Sequence, residues 1–176
     1  MVKAVKQRST VFFLVLLYLV NGGCTSIISK QLRQQAAEGP SFSEIISDPE
    51  GYRGKVVILS GVIVSSKNAR EGTLLEILQK PSDRRGKPKD VDESGGRFLA
   101  LYQGYLDVAI YRPGRKVTIG GEISGKRVLP LGEINYTYPL ITVKEIYLWP
   151  EEKEVNPREL YWPCPWWHPY CDWCCW

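Results

Sequence analysis

The run Lys55–Ser65 (KVVILSGVIVS) restricts the folds open to this chain more than any other feature. Valine and isoleucine lose side-chain freedom in a helix but pack well on a pleated surface. Here the apolar residues occupy both faces instead of alternating. A strand of that composition is buried on both sides or closes a barrel. Gly61, in its middle, signals a bulge or sharp bend, the device by which small barrels curl.

Four further strands are readable downstream. Thr73–Gln79 (TLLEILQ) follows a hairpin loop at Asn68–Gly72, and Arg97–Tyr102 (RFLALY) follows the long polar excursion Lys80–Gly95, centred on Gly86-Lys87-Pro88. Gly104–Ile110 is a connector, and Pro113-Gly114 a turn signal. Arg115–Ser124 (RKVTIGGEIS) carries a glycine pair, and Glu133–Trp149 is interrupted by Pro139, which suits an edge or a bulge. Ahead of the strands, Ser41 or Ser43 is placed to cap a short helix over Phe42–Ser47 that Asp48-Pro49 ends. Five strands, internal glycines and one short helix predict a mainly β domain over residues 41–150, a small five-stranded OB-like barrel. A β-sandwich is the competing arrangement. Of the 176 residues, the roughly 110 in this stretch suffice for one core and not two.

The segments flanking that domain differ from it in composition. Lys3, Lys6 and Arg8 precede ten uninterrupted apolar residues, Val11–Val20, and Asn21-Gly22-Gly23-Cys24 follows. This is the charged, apolar, small-residue order of a secretory signal over residues 1–23. Ten residues cover only ~15 Å as a helix, against ~30 Å for a bilayer core, so a stable transmembrane span is not expected. The leader also explains the net charge of +4: without its three basic residues, 20 basic face 19 acidic residues. A nearly neutral mature domain gives no support for a nucleic-acid partner.

Gly22-Gly23-Cys24 resembles a bacterial lipobox, in which small residues admit the backbone to a peptidase and the cysteine thiol takes up lipid. Asn21 stands where lipoboxes usually carry leucine. The resemblance implies Cys24 as the lipidation site, with covalent diacylglycerol and an N-acyl chain there, no dissociable cofactor, and membrane lipid as a partner. Two or three acyl chains give stable anchoring. An ordinary cleaved signal with an incidental cysteine is the alternative. Thr25, rather than Asp, after the cysteine is similar to lipoproteins sorted to the outer membrane where an enterobacterial-type sorting system operates. Residues 24–40 are polar without a long apolar period and read as a lipidated tether, at most a short exposed helix.

From Tyr52-Arg53-Gly54-Lys55-Val56 to Leu148-Trp149-Pro150 the chain resembles the Slp family of outer-membrane lipoproteins, the starvation-inducible type. The resemblance rests on Thr73–Pro81 (TLLEILQKP), Gly86-Lys87-Pro88, Ser94–Ala100 (SGGRFLA), Gly104–Asp107 (GYLD), Tyr111–Thr118 (YRPGRKVT) and Tyr136–Pro139 (YTYP), in order over about 100 residues. It implies a lipid-anchored, periplasm-facing envelope protein with no established enzymatic activity and a stress- or starvation-related binding or scaffolding role. A module binding an oligosaccharide or peptide in an OB-like groove is the alternative, and the identity of any envelope protein or glycan partner is left open.

Few residues suggest chemistry. Residues 151–176 form a Pro-, Trp- and Cys-rich tail in which Cys164, His168, Cys171, Cys174 and Cys175 are candidate metal ligands, since Cys-x2-Cys spacing suits zinc. One knuckle without a second, in an oxidising envelope, favours disulfides. Unpaired thiols or a metal-binding or redox tail are the other readings. Five of the six tryptophans lie there, beside prolines at 163, 165 and 169 that rule out a regular helix. Such rings suit a membrane interface or stacking on envelope sugars. In the domain, Glu76 lies in an apolar strand and Asp107 in a connector, with Arg97, Arg112 and Arg115 as available partners; a buried Glu–Arg pair is a structural device more often than a catalytic one. The sole histidine lies in the tail, so no Ser-His-Asp or Cys-His order forms, and Gly120-Gly121 sits in a strand pattern, not a phosphate loop. No catalytic residue is expected, and Lys80–Asp92 reads as a solvated loop.

Overall fold

A computed structural model describes residues 26–152. Cys24 and the tail candidates Cys164, His168, Cys171, Cys174 and Cys175 lie outside the described residues. Two short helices, α1 (Lys30–Ala36) and α2 (Phe42–Ser47), precede five strands: β1 (Val56–Ala69), β2 (Gly72–Gln79), β3 (Arg97–Tyr102), β4 (Lys116–Leu131) and β5 (Ile134–Leu148). The strands close on themselves in the order β1-β2-β3-β5-β4. All neighbours are antiparallel except β3 and β5, which pair in parallel through Leu99–Leu101 and Leu140–Thr142. This five-stranded ring is the OB-type arrangement, and the sandwich alternative falls.

The ring closes because its inward residues are apolar in alternation. Val57, Leu59 and Ile63 of β1 meet Leu75 and Ile77, Phe98 and Ala100, Val117, Ile119 and Ile123, and Ile141 and Val143. Two plugs seal the ends. Ile45 of α2 is fully buried, and Phe42 sets its ring edge against Phe98 with centroids 5.8 Å apart. Leu106 and the half-buried Tyr111 pack on the core where β3 has ended. Of the two capping candidates it is Ser41 that acts: its Oγ accepts from the Glu44 amide while Glu44 accepts from the Ser41 amide, a reciprocal capping box.

Three details differ from the sequence reading. The bulge in β1 falls between Ile63 and Ser65, leaving Val64 as the extra residue, and not at Gly61. β4 runs on past Ser124 to Leu131 and makes a long hairpin with β5, turning at Gly132 with φ of +61°. That extension pairs with β5 alone. Lacking a core face, it shows no apolar alternation to read. Pro139, inside β5, pairs only with Lys126 of β4 and precedes by one residue the contact with β3, so its missing N–H removes no ladder bond on that side.

The third difference concerns residues 24–40. From Ile28 onward this segment is not a free tether. Ile28 and Leu32 are buried, and α1 lies on the barrel wall at Gly120. A Cβ built on Gly120 would stand 2.2 Å from Leu32 Cδ2 and 3.5 Å from Ile28 Cγ2, so glycine leaves the hollow that these two side chains fill. Ser29 caps α1 through its Oγ, and its amide donates to Glu145 of β5 at 2.8 Å. Two apolar residues four apart were too faint a signal in a polar stretch.

Candidate functional site

OB-type barrels commonly bind ligands on the outer face of the second and third strands, between the β1–β2 and β4–β5 loops. In this chain the part of that face on β3 and β5 is covered by its own side chains, while Leu74, Glu76 and Leu78 of β2 are half-buried. Leu99, Leu101 and Tyr138 keep 2%, 8% and 2% of their accessible surface. Glu76 sits among them on β2. Its Oε1 accepts from Arg97 Nη1 at 2.7 Å and from the Tyr138 hydroxyl at 3.2 Å, and its Oε2 accepts from Ser65 Oγ at 3.2 Å. Tyr136 packs edge-on against Tyr138, and its hydroxyl accepts from the Arg97 amide. The bordering hairpins are joined as well, Arg127 of β4 donating to Glu71 of the β1–β2 turn at 2.7 Å.

The electrostatics of this cluster are those of a structural ion pair. Glu76 beside it raises the Arg97 guanidinium's pKa, and burial, followed by the Glu76 charge, pushes the Tyr138 hydroxyl up. Oε1 of Glu76 thus accepts two hydrogen bonds and Oε2 one, so three partners fix the position of the carboxylate. Of the three arginines that the sequence offers as partners, Arg97 is the one that meets Glu76. Arg112 and Arg115 go elsewhere: both pair with Glu151, and Arg115 also donates to the Ile110 and Trp149 carbonyls at 3.1 and 3.0 Å. Asp107 organises its own turn, its side chain accepting from the Ala109 amide at 2.9 Å.

The segment Lys80–Asp92 is more than a solvated loop. Ser82 and Pro88 form a β-bridge, and Pro88 is fully buried. The Gly86 carbonyl accepts from Ser60 Oγ at 2.8 Å and Thr118 Oγ1 at 2.6 Å, and Thr118 accepts in turn from the Trp149 indole N–H at 2.9 Å. This buried polar knot ties the loop, β1, β4 and the end of β5 together. Isolated hydroxyls in strand patterns do not announce such partners, and sequence reasoning missed it. Replacing Thr118 with valine keeps the volume, strands the indole N–H and leaves the carbonyl with Ser60 as its donor. We expect a loss of about 1–3 kcal/mol, read from urea unfolding, with faster amide exchange across residues 82–88. Unchanged exchange there would mean that the loop is held by other contacts.

The same loop meets the docked N-terminal segment. Ser26, Ile27, Ile28 and Arg33 face Asp83–Gly86 across a cavity of about 260 Å³ floored by Ile58 and Thr118. Among the described residues no group of three or more His, Cys, Asp or Glu is arranged to hold a metal.

These features define a class: a small OB-type barrel, the outer face of β3 covered by its own residues, with a docked segment beginning shortly after a lipobox-like cysteine. The chain belongs to the outer membrane lipoprotein Slp family, whose model matches residues 22–173. Outer membrane protein Slp of Escherichia coli is 30% identical over 135 residues, covering 72% of this chain and 71% of its own length. An uncharacterized protein of Haemophilus influenzae is 28% identical over 147 residues, covering 82% and 78%. Among solved structures, the mitochondrial single-stranded DNA-binding protein Rim1 of S. cerevisiae superposes with a TM-score of 0.37 at 15% identity, over 57% of this chain and 99% of that one.

Proposed function

We propose that this protein is a non-catalytic structural lipoprotein. Signal removal before Cys24 exposes the residue that carries diacylglycerol and an N-acyl chain, and the barrel stands in the periplasm against the outer membrane as a scaffold. The observation that carries the reading is the docking of Ile28 and Leu32 on the barrel, only four and eight residues after Cys24. So short a separation in sequence holds the domain at the membrane surface rather than letting it range. Membership of an outer membrane lipoprotein family supports the location. The Glu76 cluster, held by Arg97, Tyr138 and Ser65, supports a role without catalysis, and the burial of Leu99, Leu101 and Tyr138 weighs against an oligosaccharide or peptide lying in the groove. A part in starvation or stress adaptation rests on the family resemblance alone.

Metabolic labelling with a radioactive fatty acid tests the anchor. Wild-type protein is expected to take up label and fractionate with the outer membrane, and Cys24→Ala to take up none and leave that fraction. Equal labelling of the two would refute the anchor.

A further inference from the structure

The cavity between the docked segment and the 83–86 turn has an unbalanced charge. Arg33, Arg84 and Arg85 line it, all exposed, and among the described residues no carboxylate lies within salt-bridge distance of any of them. Their neighbours are neutralised: Lys87 pairs with Glu152, and Lys116 with Asp90. The one acid in the lining, Asp83, is committed to its own turn. Its Oδ1 accepts from the Arg85 and Lys87 amides at 2.8 and 2.9 Å, and the Lys87 amide leads the interactions that hold its carboxyl below the usual range. That turn presents the two adjacent arginines. In a mature domain close to neutrality, three guanidinium groups with no salt-bridge partner among the described residues outweigh the one Asp83 carboxylate, whose charge offsets part of theirs, and form a local site for an anion.

Size and position decide which anion. A cavity of about 260 Å³ falls below the usual range for drug-sized ligands and suits a phosphate with a few attached atoms. Arginine recognises phosphate oxygens through paired N–H donors. Ser26 on the rim is two residues from Cys24, at most ~7 Å of extended chain. That reach is about the depth of one headgroup layer. The half-buried Ile27 gives the rim an apolar side, as a boundary between headgroup and acyl region requires.

We propose that this cavity binds the phosphate-bearing headgroup of an anionic lipid in the membrane to which the chain is attached, fixing the orientation of the barrel on the surface. The inference rests on the lipid anchor at Cys24 and adds a second, electrostatic contact to it.

The test uses the full acylated protein in vesicles of phosphatidylcholine, alone or mixed with phosphatidylglycerol. Flotation with the neutral vesicles reports the anchor. Amide exchange in residues 27–33 and 83–87 reports the headgroup. Phosphatidylglycerol is expected to slow that exchange about fivefold for each arginine engaged, the factor that corresponds to one basic side chain at an anionic surface. The slowing is expected to vanish in R84Q/R85Q and to weaken in R33Q, while both variants still float. Equal exchange in the two lipid mixtures, or slowing that survives in R84Q/R85Q, overturns the proposal. So does slowing of the same size by inorganic phosphate in detergent, which would mark a small-anion site. Failure of the wild type to float with neutral vesicles removes the anchor and the headgroup site together.

Discussion

Valine at position 61 is expected to cost about 3 kcal/mol of folding stability, the upper end for overpacking, and to lower the urea midpoint at an unchanged denaturant slope. Gly61 pairs with Gln79 of β2 and Val117 of β4 at once. A Cβ there would lie 2.3 Å from the Leu78 carbonyl oxygen and 2.6 Å from Ile77 Cγ2. The first is backbone, which cannot rotate away. β1 cannot retreat from β2 either, because its other edge is bonded to β4. The strain therefore falls on the barrel closure, where β1 passes from one neighbour to the next. An unchanged midpoint would mean that the two strands stand farther apart than this contact requires.

Gly61 also shows how far the sequence could be read. Its presence in a doubly apolar run signalled local curvature, yet the residue serves close approach of two backbones and the extra residue is Val64. Strand positions were legible because burial imposes composition, and β2 and β3 emerge within a residue of their predicted bounds. Partners were less so. Glu76 in an apolar strand announces that some cation must meet it, and Arg97 does, but nothing local distinguishes Arg97 from Arg112 or Arg115. The cavity beside the 83–86 turn was hidden for a different reason. It joins Ile27 and Arg33 to Arg84 and Arg85 across about fifty residues, and Gly120 supplies the hollow only after β4 is in place. Such a site depends on topology, while a lipobox-like cysteine is read from its immediate neighbours.

Truncating Phe98 to alanine is expected to cost about 3–5 kcal/mol, enough to threaten a domain whose whole stability is of order 5–15 kcal/mol. Phe98 has no accessible surface and is the largest of the fully buried side chains. It lies under α2, where Phe42 meets it edge to face at 5.8 Å and Ile45 closes the same end of the barrel. Alanine would remove the ring contacts and leave a void that a closed five-stranded ring cannot collapse to fill, because each strand is fixed by bonds on its edges. The neighbouring Leu99 points to the opposite face, so the damage is to the core and not to the filled outer surface. On the anchor proposed at Cys24, fatty-acid labelling is expected to survive, since Phe98 lies far along the chain from that residue: the variant should take up label like the wild type yet be cleared faster by protease. A loss under 1 kcal/mol would show that α2 can settle inward to replace the ring, and that the barrel is more deformable than its hydrogen bonding implies.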